Sequence, residues 1–192
     1  MSDVVAAIET SFRELVKTTR YRSITVKEIC EGAYISRRTF YANFVDKRAV
    51  LAYIFRHDAI DPLKRIVSIL SPDEAADMAY DIFVRFYQGI YDNAEFYSDL
   101  VKPMHNVDLT FMRVVIRAVS KQIEESAKRY NPDIDRALAR HAGDFFGAAQ
   151  AWYLEKWIYN SYDEPLEKIA KDQTLILMPG LTALVKKGSS LV

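Results

Sequence analysis

The chain has 192 residues, half of them hydrophobic, with 26 basic and 26 acidic side chains that cancel. That apolar fraction excludes a disordered chain and supports one sizeable core or two small ones, while the zero net charge excludes a nonspecific polycation. A single cysteine excludes an internal disulfide, and the longest unbroken apolar run, Ala49 to Phe55, is far short of the ~20 residues a membrane span needs.

Hydrophobic periodicity is helical in every segment long enough to judge, beginning with Val4, Ile8, Phe12, Leu15 and Val16 in a first helix. Thr25 with Glu28 three residues on forms a capping box, opening a second helix in which Val26, Ile29 and Cys30 make one apolar stripe. Cys30 lies on that inward stripe, where it reads as a small buried thiol. Ser36 caps a third helix opening at Arg37, with Phe40 and Phe44 facing inward. Little but a tight turn fits between the two caps. The spacing therefore predicts a helix-turn-helix, whose recognition helix presents Arg37, Arg38 and Thr39 outward from its first turn, where such a motif meets the major groove.

A helix from Lys47 carries Val50, Leu51, Ile54 and Phe55 and can run through Ile60, with Pro62 either kinking it or restarting it before Leu63 to Leu70. Ser71-Pro72-Asp73 reads as a loop. A helix with Ile82, Phe83, Phe86, Tyr87 and Ile90 follows, then a short one after Asn93. From Asp108 a long helix presents Phe111, Val115, Val119 and Ile123, and Asn131-Pro132-Asp133 signals the start of another through Tyr159. Glu164-Pro165 starts the last, which Pro179-Gly180 should break or kink, and Lys186 onward should fray. The prediction is an all-α chain of about nine helices. Residues 1–57 form a small helix-turn-helix domain, and residues 58–192 a larger helical bundle.

Residues 1–57 hold ten Lys and Arg against six acids, so the front carries +4 and the remainder −4. Positive charge concentrated there is the footprint that phosphate binding requires. Aromatic residues concentrate behind: sixteen of twenty-four lie between Tyr80 and Tyr162.

The stretch from about Ile8 to Phe55 resembles the TetR family of transcriptional regulators. The resemblance rests on Thr25 and Val26, Ser36, Thr39, Phe40, Tyr41, Phe44 and Lys47, in order and correctly spaced. It implies that Tyr41 and Lys47 contact the DNA backbone, that the rear bundle binds a small ligand, and that its last two helices pair two chains across a twofold axis. One departure stands out. Where the family often carries Gly in the turn, this chain has Tyr34, which would be strained if the turn needs a positive φ.

The candidate DNA-binding residues are Thr25, Ser36, Arg37, Arg38, Thr39, Tyr41 and Lys47. Arg37 and Arg38 are candidates for bidentate bonds to guanine or for phosphate contact, and Thr25 and Thr39 for phosphate contact through their hydroxyls. Phe83, Phe86, Tyr87, Tyr91, His105, Phe111, Phe145, Phe146 and Trp152 are candidates for a ligand pocket or for plain core, and as a set they favour an apolar or aromatic ligand. Gly143, Gly147 and Ala151 leave a smooth helix face. With Trp157, that face is a candidate dimer contact or a close packing within one chain.

The expected function is a ligand-responsive regulator, a repressor that binds a palindromic duplex operator as a homodimer. No cofactor, metal site or membrane partner is expected, and with no signal-peptide pattern at the start the chain reads as cytoplasmic. A helical enzyme is disfavoured by three scattered histidines and by the lack of a His-Glu-x-x-His motif, a cysteine cluster or a phosphate loop. A helical small-molecule binder or adaptor of the same fold that does not read DNA is the remaining alternative.

Overall fold

The computed structural model describes residues 3–185, among which lie eleven α-helices, one π-helical turn and no strand. The front consists of α1 (Asp3–Thr18), α2 (Val26–Gly32), α3 (Arg37–Asn43) and α4 (Lys47–Phe55). Helix α1 buries the stripe Ile8, Phe12 and Val16, four residues apart. The next three helices have seven to nine residues, too short to stand on propensity alone. Each is fixed by a side-chain cap and by burial. Glu28 Oε2 accepts from the Thr25 backbone N–H at 2.7 Å while Thr25 Oγ1 accepts from Glu28 N–H at 3.2 Å, Ser36 Oγ accepts from Thr39 N–H at 3.0 Å, and Asp46 Oδ1 from Ala49 N–H at 2.7 Å. Ile29, Cys30, Phe40, Phe44, Val50 and Leu51 close the core beneath those caps.

Helix α4 runs on through the π-helical turn Arg56–Ile60 into α5 (Asp61–Val67), with Pro62 in the first turn of α5, directly after the π-helical turn. The chain does not restart at Pro62: its helical backbone continues, with the π-helical turn placed directly before the proline. The expected loop at Ser71-Pro72-Asp73 is instead the start of a short helix, α6 (Pro72–Asp77), with Ser71 and Glu74 completing a second capping box.

The remaining helices are α7 (Ala79–Tyr91), α8 (Ala94–Val101), α9 (Thr110–Tyr130), α10 (Arg136–Tyr159) and α11 (Leu166–Val185). Helix α10 opens after Asn131-Pro132-Asp133 has passed, on an Asp135 carboxylate that accepts from Ala137 N–H at 2.7 Å. Helix α11 continues past Pro179. The expected fraying from Lys186 lies outside the described residues.

The core does not stop at residue 57. Phe12 meets Phe96 of α8 at 6.4 Å between ring centroids, and Phe55 meets Phe86 at 6.3 Å and Phe111 at 6.1 Å. One continuous apolar cluster thus ties the front helices to the rear bundle.

Candidate functional site

Helix α3 buries Phe40 and turns Arg37, Arg38 and Tyr41 to solvent. Neither arginine has a hydrogen bond or ion pair among the described residues, and Tyr41, packed edge-on against Phe40 at 5.4 Å, has a free hydroxyl on the same terms. Ser36 and Thr39 are committed to the cap, their hydroxyl oxygens 2.9 Å apart. Thr25 Oγ1 is likewise committed, donating to Glu28 Oε2 at 2.7 Å. The turn before α3 does need a positive φ, since Tyr34 sits at 54° with its ring 96% exposed.

Lys47 is placed differently from the rest. Its ammonium donates to the carbonyls of Tyr21, Arg22 and Ile24 at 2.7, 3.0 and 2.7 Å and lies 4.6 Å from the Tyr21 ring centroid. Burial pulls its pKa down, and the same burial pushes the Tyr21 hydroxyl up to about 12. All three ammonium donors are used, so Lys47 clamps the α1–α2 loop. That loop is itself docked on the bundle, where Arg22 Nε donates to Asp108 Oδ2 at 3.1 Å and its terminal nitrogen donates to the Val107 carbonyl.

A second tie is buried. Arg13 on α1 donates to both carboxylate oxygens of Asp58 at 2.9 Å and to Glu9 at 2.8 Å, and Tyr97 of α8 donates to Asp58 at 2.8 Å. Burial works against the Arg13 charge, but Asp58 and Glu9 more than offset it and hold its pKa above the ordinary value. Glu9, His57 and Asp58 bring ligand atoms within 4.8 Å of one another, as a metal site would, but the Arg13 guanidinium already satisfies both carboxylates.

The rear bundle holds a half-open cavity of about 210 Å³. Phe83 and Phe86 of α7 and Phe146 of α10 line it, together with Ile60 of the π-helical turn and Leu63 of α5. The other aromatic candidates lie elsewhere. Tyr87 is fully buried beside the cavity, where its hydroxyl accepts from Gln150 Nε2 at 3.0 Å. Phe111 is core between α4 and α8, and Tyr91 stacks on Trp157. His105 stacks on Tyr159 at 3.8 Å with Nδ1 3.2 Å from Glu155. Phe145 and Trp152 point out of the fold, 70% and 57% exposed.

The face carrying Gly143, Gly147 and Ala151 is covered within the chain, so of its two readings the structure shows the close packing. A Cβ at Gly143 would lie 2.9 Å from the Ser120 carbonyl oxygen of α9, and one at Gly147 2.4 Å from Ser120 Oγ. These glycines let α9 and α10 approach, and Ser120 Oγ donates to the Gly143 carbonyl at 2.8 Å. Trp157 is also internal, donating from Nε1 to the Glu164 carbonyl at 2.8 Å. The opposite side of α10 is uncovered. Leu138, Phe145, Trp152 and Tyr159, seven residues apart, are all exposed, as are Leu175 and Ile176 on α11.

Four front helices, three of them held by side-chain caps, run continuously into a helical bundle, and solved structures share this arrangement. The crystal structure of the TetR family repressor AlkX from Dietzia sp., implicated in biodegradation of n-alkanes, matches with a TM-score of 0.62 at 15% identity, covering 94% of this chain and 98% of that one. The fold is TetR-like. The dihydroxyacetone kinase operon activator DhaS matches with a TM-score of 0.55 at 18% identity, covering 95% and 98% of the two chains. No family model matches the chain, and no curated protein matches it in sequence. Among the described residues of this TetR-like chain no helix is long and apolar enough to cross a membrane.

Proposed function

We propose that the chain is a ligand-responsive transcriptional repressor that binds a palindromic duplex operator as a homodimer. The observation that carries this reading is α3, a capped helix on a TetR-like fold with Arg37 and Arg38 exposed at its N-terminal end and unpaired among the described residues. That is where a recognition helix meets base edges. Tyr41, with its exposed ring, supplies a phosphate contact, and Thr25, Ser36 and Thr39 shape the surface around it. Lys47 acts on DNA through the loop it clamps.

Two copies pair through the uncovered faces of α10 and α11. The seven-residue spacing of Leu138, Phe145, Trp152 and Tyr159 makes a straight apolar seam, the pattern of helices that pack along their length. Pairing would set the two α3 helices about 34–36 Å apart, one turn of DNA.

The cavity is the effector site. Ile60 and Leu63 line it, and both belong to the rod that begins as α4 beneath the helix-turn-helix. A ligand that displaces them tilts α4 and changes the spacing of the recognition helices, for which a coupling of about 1–3 kcal/mol is typical. Selection of bound sequences from random duplex DNA tests the reading. A recovered palindrome with half-sites one helical turn apart is expected. Weak binding with no sequence preference would favour a binder of the same fold that does not read DNA.

A further inference from the structure

We propose that the bundle cavity takes an uncharged, mostly hydrocarbon molecule of about ten non-hydrogen atoms carrying one hydroxyl, which donates to the side-chain amide of one of Gln122 and Gln150 and accepts from that of the other. This names the effector class and rests on reading the cavity as the effector site.

Charge is excluded by the walls. None of the described side chains lining the cavity is acidic, basic or histidine. An ionised carboxylate or ammonium carried in among these walls, to the depth of Gln150, would be desolvated with no counter-charge, a heavy penalty for any ligand. Pure hydrocarbon is disfavoured by two polar groups in the same walls. Gln150 is 5% exposed, and its Nε2 donates to the Tyr87 hydroxyl while its Oε1 has no partner among the described residues. Gln122 of α9 donates from Nε2 to Ser126 Oγ at 3.2 Å, and its Oε1 also has no partner among the described residues.

Three buried amide oxygens lack a partner among the described residues, on Gln122, Gln150 and Gln173, and the two that line this cavity point to an occupant that donates to one amide and accepts from the other in its flipped setting. A hydroxyl both donates and accepts, so it satisfies an amide whichever way the oxygen and nitrogen face. An ether or ketone can only accept. Size follows from the volume: about 210 Å³ exceeds the ~150 Å³ cavity that holds benzene, which allows a molecule of about ten heavy atoms.

The test is calorimetric titration of the full chain, without DNA, using 1-octanol, its isostere methyl heptyl ether, octanoate and octylammonium. Octanol should bind at least about tenfold more tightly than each of the others, because a site built to hydrogen-bond a hydroxyl rejects the analogue lacking it. In Gln122→Leu/Gln150→Leu the ether should still bind, and the preference for octanol over it should fall to about twofold or less. If the double variant does not fold, Gln122→Leu alone, at a part-exposed position, should show at least a threefold loss of that preference by the same logic. Octanoate or octylammonium binding as tightly as octanol, a preference that survives the substitutions, or no binding by any probe overturns the proposal. Gel shifts with the selected DNA are run in parallel. Intact DNA reading with no preference for the alcohol defeats this inference alone, whereas failure to bind any DNA defeats the regulator reading and leaves the ligand result standing.

Discussion

Tyr34 holds a left-handed backbone, φ 54°, with a ring that touches almost nothing. A non-glycine residue there costs about 1–2 kcal/mol, against roughly 0.5–1 kcal/mol of extra unfolded-chain entropy for glycine. Tyr34→Gly should therefore raise stability by up to about 1 kcal/mol in urea denaturation; a lower midpoint would mean that the exposed ring stabilises the fold in a way its contacts do not show. Lys47 presents the opposite case, a buried and fully occupied cation. Lys47→Met should leave three carbonyls short of a donor and cost about 1–3 kcal/mol of stability. A residue that only touched phosphate would leave the melting temperature unchanged, so thermal unfolding without DNA separates the two roles. Arg37 and Arg38 are free of such duties. Arg37→Ala or Arg38→Ala should leave stability within about 0.5 kcal/mol while changing preference at one operator position by about 1–3 kcal/mol, read by competition gel shifts with single-base variants.

At the scale of elements, what was legible in the sequence was local. Thr25 with Glu28, and Ser36 before Arg37, identify helix starts within four residues of chain, and the structure builds caps from those same atoms. Ser71-Pro72-Asp73 speaks the same chemistry but reads equally well as a turn, since only the apolar contacts that follow decide whether a helix continues. Facing was not legible. Gly143 and Gly147 mark a smooth surface without saying which helix covers it, and the adjacent Phe145 and Phe146 separate because neighbours on a helix point about 100° apart, one outward and one into the cavity. The seven-residue repeat from Leu138 to Tyr159 was the available signal for the uncovered face. Helix contacts also explain Gly89, where α7 crosses the π-helical turn. A Cβ there would lie 2.2 Å from the Asp58 carbonyl oxygen, a backbone atom whose residue is anchored by Arg13 and Tyr97. Gly89→Ala should thus cost at least about 1–3 kcal/mol in equilibrium unfolding, as overpacking does, and a neutral result would show that the turn yields freely.

For the whole molecule, the two proposed binding events meet in one rod. Helix α4, the π-helical turn and α5 run from beneath the recognition helix to the wall of the cavity, and Phe55, Asp58, Ile60 and Leu63 along it each contact a different part of the bundle or its cavity. Movement of this rod within one chain can matter to DNA only if a second chain fixes where the first one stands. Two α3 helices on independent monomers have no defined spacing for a ligand to change. The uncovered seam on α10 is therefore the part of the mechanism most open to a direct test. Trp152 is over half exposed and contacts Lys156 at 5.4 Å, so Trp152→Glu removes no core packing and should leave the monomer within about 0.5 kcal/mol of its stability. In a dimer the same carboxylate would be buried in an apolar seam opposite its own copy, a cost of several kcal/mol. Sedimentation should then show the variant as a monomer where the parent chain is a dimer, and affinity for a full palindrome should fall to near that for a half-site. A variant that remained dimeric would place the interface elsewhere, and one that lost its dimer but kept full affinity for the palindrome would disconnect pairing from DNA reading.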